Sequence, residues 1–264
     1  MSSRSTSSSF DIPAAPAEAG HVFCSLDQGA LATVTKSKHG TRVGRALRSR
    51  RWAALHRSLL TACILATTGL VFWVGVDVAR LLMEGAWVAV VLGVVVGAFA
   101  IDFVTGFVHF ACDRFGDPET PVLGPLLIKA FRDHHDHPHA ILEHDWVETN
   151  GEPCVLTTFA LIALACFVPE THSQLGAATA TGVWTMAALG AFANQAHKWA
   201  HMPNAPRVVR LFQRAGLILR PGEHGRHHDA PHQTAYCIST GWMNPLLERL
   251  GLWSWLERSW KGTT

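Results

Sequence analysis

AWVAVVLGVVVGAFAIDFVTGFVHF, residues Ala86 to Phe110, decides the fold. It carries a single charged residue, Asp102, and closes on His109. A helix needs roughly 17–25 predominantly apolar residues to cross a bilayer, so the run predicts a transmembrane helix over 86–110. Three other apolar runs predict spans over 58–80, 153–169 and 175–197. The third is near the lower length limit and is either a crossing or a re-entrant segment. The composition agrees: only 16% of residues are charged, against about 25% in a soluble domain. That excludes a disordered chain, a collagen-like chain and an ordinary charged-surface globule. A net charge of +2 gives no reason to expect nucleic acid as a partner. The expected fold is an all-α integral membrane protein with four transmembrane helices. The alternative is a soluble helical protein with buried helices.

Lys and Arg accumulate on the cytoplasmic side of a membrane. Arg42, Arg45, Arg48, Arg50, Arg51 and Arg57 precede the first span. Arg114, Lys129 and Arg132 lie between the second and third, and Lys198, Arg207, Arg210, Arg214, Arg220 and Arg226 follow the fourth. The two remaining loops carry only Arg80. This predicts a multi-pass protein with both termini cytoplasmic, in the inner membrane if the source is bacterial. Residues 1–50 read as a mobile cytoplasmic tail, rich in Ser, Ala and Pro and then basic, with no signal peptide. Residues 51–264 read as one membrane domain whose cap comprises 111–152 and 198–264. The six cysteines form no CxxC pair and are expected to be mostly buried, reduced thiols.

Histidine is the compositional anomaly, with 16 residues. Most lie in 109–144 and 197–232, at or beyond the cytoplasmic ends of spans two and four. The spacings suit metal binding. His109 and Asp113 are four apart on one helical face, as are His197 and His201. His224, His227 and His228 form HxxHH, whose members share a face. His134 and His135 are adjacent, His144 follows, and His232 lies four after His228. Ten imidazoles at one membrane face suffice for two metals, since one zinc-type site takes three or four ligands. Imidazole suits iron, zinc, copper and nickel, so spacing does not name the metal. His137 and His139 read as solvated extras.

Asp102 sits within span two, seven residues before His109 and on nearly the same face. An acid inside a membrane is expensive and marks a functional site by default. It either orients a ligand by accepting the second imidazole N–H or pairs with Lys or Arg at the interface. Asp133, Asp145, Glu148, Glu152 and Glu223 flank the histidines, as orienting groups or as solvated acids.

Four stretches carry a specific likeness: GFVHFACDRFG (Gly106–Gly116), FRDHHDHPHAILEHDWVETNG (Phe131–Gly151), NQAHKWAH (Asn194–His201) and EHGRHHDAPHQTAYCISTGWMNPLLE (Glu223–Glu248). In order and spacing the chain resembles the plasmanylethanolamine desaturase family over roughly residues 55–255. The resemblance implies a membrane diiron oxidoreductase that puts the vinyl-ether double bond into a 1-O-alkyl phospholipid, giving a plasmalogen. It implies two iron ions, O2 as co-substrate, and an external electron donor such as a cytochrome b5- or ferredoxin-like protein. Carried over residue by residue, the metal-site candidates are His109, His134, His135, His144, His197, His201, His224, His227, His228 and His232. Asp113 and Asp102 are carried over as catalytic acids, with Asp113 either a ligand or a base beside the metals. Two departures stand out: Phe110 where the family usually has Trp, and the extra His137 and His139. Both would bear on the choice of lipid.

The segment PRVVRLFQRAGLILRP (206–221) interleaves apolar residues with arginines and predicts an amphipathic helix, interfacial or packed on the cap. Trp242, Trp253, Trp255 and Trp260 are interface anchors or cap core. Asn244-Pro245 reads as a turn that starts a final helix. The rival functions are an acyl-lipid desaturase or lipid hydroxylase of the same type, a metal transporter or sensor, and a structural adaptor. Transporters hold their ligands near the midplane, whereas these candidates gather at one face.

Overall fold

A computed structural model of the chain describes residues 42–121, 123–167 and 173–262. Most of the expected tail and the loop at 168–172, with His21, His39, His172 and Cys24, therefore lie outside the described residues. Arg50–Thr264 forms one compact unit. Among the described residues every regular element is helical. The α-helices are α1 (Arg42–Met83), α2 (Trp87–Arg114), α3 (Lys129–Asp136), α4 (Trp146–Phe167), α5 (Gln174–Ala191), α6 (Ala193–His201), α7 (Arg207–Ala215), α8 (Pro221–His228), α9 (Asn244–Arg249) and α10 (Leu252–Lys261).

Three helices are long and apolar enough to cross a membrane: α1 from Arg50, α2, and α4 as far as Cys166. The expected fourth span is a bent pair, α5 and α6, meeting at 41°. At the bend the Phe192 amide donates to the Leu189 carbonyl at 3.1 Å, a tightened last turn after which the helix restarts. The expected span at 153–169 starts earlier, at Trp146. Asp145 is its cap: Asp145 Oδ1 accepts from the amides of Val147 (2.8 Å) and Glu148 (3.0 Å), while Glu148 Oε2 accepts from the Asp145 amide. This reciprocal capping box is legible as D-W-V-E in the sequence. Pro153 sits inside the helix rather than at its start. Large apolar side chains such as Phe72 and Trp73 stay exposed on the spans, as expected of surfaces solvated by lipid rather than water.

α2 is the central element, and α5 packs along it. Gly93 and Gly97 let the backbones touch: a Cβ at Gly93 would lie 2.5 Å from the Ala178 carbonyl, and one at Gly97 would overlap the Gly182 carbonyl. α1 is tied to α4 by Thr67, whose hydroxyl lies 2.8 Å from that of Thr158 and donates to the Cys154 carbonyl. Trp184 of α5 donates to the Val71 carbonyl at 2.8 Å. Satisfying these polar groups inside the bundle removes the cost of leaving them bare in hydrocarbon.

The carboxy-terminal elements fold back on the end of α2. Phe110, Tyr236, Cys237, Leu247 and Trp253 form a buried cluster, so Phe110 belongs to the cap core. Trp253 is likewise core, whereas Trp255 and Trp260 are exposed. The amphipathic helix expected over 206–221 ends at Gly216, whose φ of 71° supplies the left-handed cap. The Asn244-Pro245 turn does start a helix, α9. Cys112, Cys154 and Cys237 are buried and free, whereas Cys166 is free but exposed.

Candidate metal centre

The end of α2, α3, the bend helix α6 and α8 bring their imidazoles together in two groups. The first holds His134, His197, His201, His224 and His228; the second holds His109, Asp113, His135 and His227. The adjacent pairs split between them. His134 of α3 and His228 of α8 enter the first group, and their neighbours His135 and His227 enter the second. Successive helical residues point about 100° apart, so each HH dipeptide contributes one imidazole to each group.

In the first group the Nε2 atoms converge. His201 Nε2 lies 2.7 Å from that of His224, 2.9 Å from that of His134 and 3.2 Å from that of His197. His228 Nε2 lies 3.0 Å from that of His224. A neutral ring nitrogen carries either one hydrogen or one lone pair. It therefore cannot satisfy three nitrogen neighbours, whereas a cation at their centre can.

The second group fixes its tautomers. His109 donates its Nδ1–H to the Tyr236 carbonyl (3.1 Å), and His227 donates its Nδ1–H to the Thr234 carbonyl (2.8 Å). Each Nε2 is thereby left with its lone pair, and both rings are 0% exposed. Asp113 Oδ2 lies 3.5, 3.6 and 3.4 Å from Nε2 of His109, His135 and His227. Among the described residues neither Asp113 oxygen nor His109 Nε2 has a hydrogen-bond partner, and all are buried. Lone pairs facing a carboxylate in a dry site repel unless a positive ion lies between them. The donor set of five imidazoles, and of three imidazoles with a carboxylate, fits a pair of transition-metal ions.

Electrostatics keep these imidazoles neutral. Burial, then the neighbouring imidazoles His201 and His228, pushes His134 down to about 2. Burial brings His228 to about 3 and His135 to about 4, the latter against the opposing pull of Asp113. Burial also drives His224 well below its usual value.

The remaining candidates lie outside the two groups. His232 stacks on His135 with ring centroids 4.5 Å apart and planes 3° from parallel, and its Nδ1–H is donated to the His227 carbonyl. His144 precedes the α4 cap, and its carbonyl accepts from the Lys198 ammonium. His137 and His139 are exposed. Asp102 is fully buried, and its carboxylate accepts from three backbone amides: Thr240 (2.8 Å), Gly241 (2.9 Å) and Met243 (2.9 Å). Its partners are thus backbone groups of one loop, not a histidine or a cation. Asp145 and Glu148 form the α4 cap, and Glu223 pairs with Arg226. The carbonyls of Thr234 and Tyr236 escape sequence reasoning because every residue carries one.

Residues 98–264 match the lipid desaturase domain family. The chain is 37% identical over 234 residues to plasmanylethanolamine desaturase 1 of Mus musculus, covering 81% of this chain and 86% of that protein. It is 40% identical over 182 residues to the plasmanylethanolamine desaturase of Myxococcus xanthus, covering 64% of this chain and 63% of that protein. It is 32% identical over 165 residues to fatty acid desaturase 4, chloroplastic, of Arabidopsis thaliana, covering 61% of this chain and 48% of that protein. No solved structure matches. The chain is thus a desaturase-type oxidoreductase and belongs to the lipid desaturase domain family, alongside the plasmanylethanolamine desaturases.

Proposed function

We propose that the protein is an O2-dependent diiron desaturase that introduces the vinyl-ether double bond of a 1-O-alkyl phospholipid. The observation that carries this is the pair of adjoining donor groups, five imidazoles beside three imidazoles and Asp113, at the end of a helix long and apolar enough to cross a membrane. The substrate class is supported by the mouse and Myxococcus relatives, which are named as plasmanylethanolamine desaturases. It also fits the depth, since the bond to be oxidised lies close to the lipid head group.

One iron would be held by His134, His197, His201, His224 and His228, the other by His109, Asp113, His135 and His227, with His232 stacked beside His135. When bound, the irons supply oxidation of an unactivated C–H bond by O2. Overall, two hydrogens leave the lipid, and two electrons and two protons from a donor complete the reduction of O2 to two waters. The protein's own part is positioning and exclusion of water. The Tyr236 and Thr234 carbonyls hold the His109 and His227 rings with Nε2 inward. Phe131 packs on His109 at a centroid distance of 4.9 Å and closes one wall. Asp113 brings negative charge into the second group and offsets the charge of a bound cation. We place the cap, 111–152 and 198–264, on the cytoplasmic side from the Lys and Arg distribution. There it would meet a cytochrome b5- or ferredoxin-like donor.

The direct test is to give an alkyl-ether phospholipid to cells expressing the chain and assay acid-labile vinyl ether. Its appearance supports the proposal. A second reading, an acyl-lipid desaturase, is favoured by the likeness to the Arabidopsis protein. Unchanged vinyl ether with a new unsaturated acyl species would select it.

A further inference from the structure

α7 presents three different faces. Val209 and Gln213 are buried against the cap, and Gln213 donates to the Trp199 carbonyl. A second face exposes Val208, Leu211 and Phe212, continued by Leu217 beyond the cap glycine. A third carries Arg207, Arg210 and Arg214, spaced three and four apart and so in one row. Arg210, Arg214 and Arg220 line a shallow cleft with Gln213 and Pro221. Arg210 and Arg220 donate to the carbonyls of Ala205 and Gln213. Among the described residues none of the four arginines pairs with an acid. No acidic residue occurs in the sequence from 171 to 222.

Trp242 links this exposed apolar face to an exposed stretch of α2. Trp242 donates its indole N–H to the Gly216 carbonyl at 2.6 Å, which fixes it to the end of α7. Its ring packs on Phe99 of α2, centroids 5.5 Å apart, and both side chains remain partly exposed. Phe99 is ten residues before His109, or about 15 Å along the helix at about 1.5 Å per residue. The Asp102 bonds hold residues 240–243 at that level. The loop after α8 therefore runs back beside the span, well short of its polar end.

We infer that α7 and the Trp242 loop form a membrane-embedded shelf, with Leu211, Phe212, Leu217 and Trp242 in the acyl region. On the shelf, the Arg207–Arg210–Arg214 row and Arg220 bind phosphates of anionic phospholipid. The occupant is the leaflet itself: the apolar face continues the surface of α2, and the unpaired arginines match phosphate in charge and fork geometry. Substituting the arginines removes attraction to an anionic surface.

The test uses the full chain reconstituted in phosphatidylcholine vesicles with and without phosphatidylglycerol, doped with a phospholipid carrying an acyl-chain diazirine. After irradiation, labelled peptides are mapped. The inference predicts label on Leu211, Phe212 and Leu217 as well as on the exposed face of α2, with the α7 label rising several-fold with phosphatidylglycerol. The triple variant Arg207→Gln, Arg210→Gln, Arg214→Gln should lose that rise while its α2 label is unchanged. An α7 peptide without label beside a labelled α2 would overturn the inference. So would α7-to-α7 cross-links, which would mean that a second copy covers the face. Labelling needs no turnover, so its outcome is independent of the proposed reaction.

Discussion

The Tyr236 carbonyl accepts the Nδ1–H of His109 at 3.1 Å, although 127 residues separate the two. Two residues earlier, the Thr234 carbonyl does the same for His227. Both carbonyls belong to the segment that continues into residues 240–243, which hang on Asp102 through three amides. Asp102 thus positions the second donor group through backbone rather than by touching an imidazole. Asp102→Ala would leave three N–H groups, two of them buried, without an acceptor. Each such loss costs about 1–3 kcal/mol, so the expected loss of stability is on the order of 3 kcal/mol or more, with loss of iron and activity. Asp102→Asn keeps one acceptor oxygen for Thr240 and Gly241 and should recover part of both. Thermal unfolding in detergent and iron content distinguish the variants; equal behaviour of Ala and Asn would remove the backbone role.

Among the described residues, Asp113 is the only carboxylate in either donor group. Asp113→Asn preserves volume and removes charge. The native protein is expected to bind about two irons per chain and the variant about one, because the five-imidazole group is left intact. Desaturation should fall to background. Iron analysis of purified protein measures this, and two retained irons would remove Asp113 as a ligand.

Much of this was legible in the sequence, for identifiable reasons. The spans follow from composition because lipid solvates apolar side chains directly. The grouping of His197 with His201, and of His224 with His228, follows from i,i+4 spacing. The division of His134 from His135, and of His227 from His228, does not, because it depends on which helix stands on each side of the dipeptide. His144 shares a stretch with the cluster, yet α4 begins at the Asp145 cap and leaves it outside both groups. The acid at 102 was visible, but its partners were not. Backbone amides carry no sequence signature. The small residues Gly93 and Gly97, one helical turn apart, were a readable sign of close helix packing.

Acid should weaken the metal-free protein before it protonates the cluster. His135 is lowered from 6.5 to about 4 by burial, and His228 to about 3. Between 6.5 and those values the unfolded chain binds protons that the folded chain does not. Stability therefore falls as pH drops through this window and is restored as pH rises. Melting of iron-depleted protein from pH 7 to about pH 4 should show a steady fall. Iron should raise the whole curve without flattening it, since the unfolded chain still takes up protons that metal-bound imidazoles do not. A flat profile without metal would contradict the buried neutral imidazoles.

Gly97 tests whether the span packing positions the site. A Cβ there overlaps the Gly182 carbonyl of α5, so even Gly97→Ala must separate the helices. α5 leads directly into α6, which carries His197 and His201. Moving α5 outward therefore withdraws two imidazoles from the first donor group. Overpacking of this kind costs about 1–3 kcal/mol. Neither substitution makes α2 less apolar, so membrane insertion should persist. Gly97→Leu is expected in the membrane fraction at near-normal level, with reduced melting temperature and iron. Gly69, where a Cβ meets nothing within 4 Å, is the control: Gly69→Ala should be silent in both assays. If Gly97→Leu kept full iron and activity, close approach of α2 and α5 would not be what sets the geometry of the first donor group.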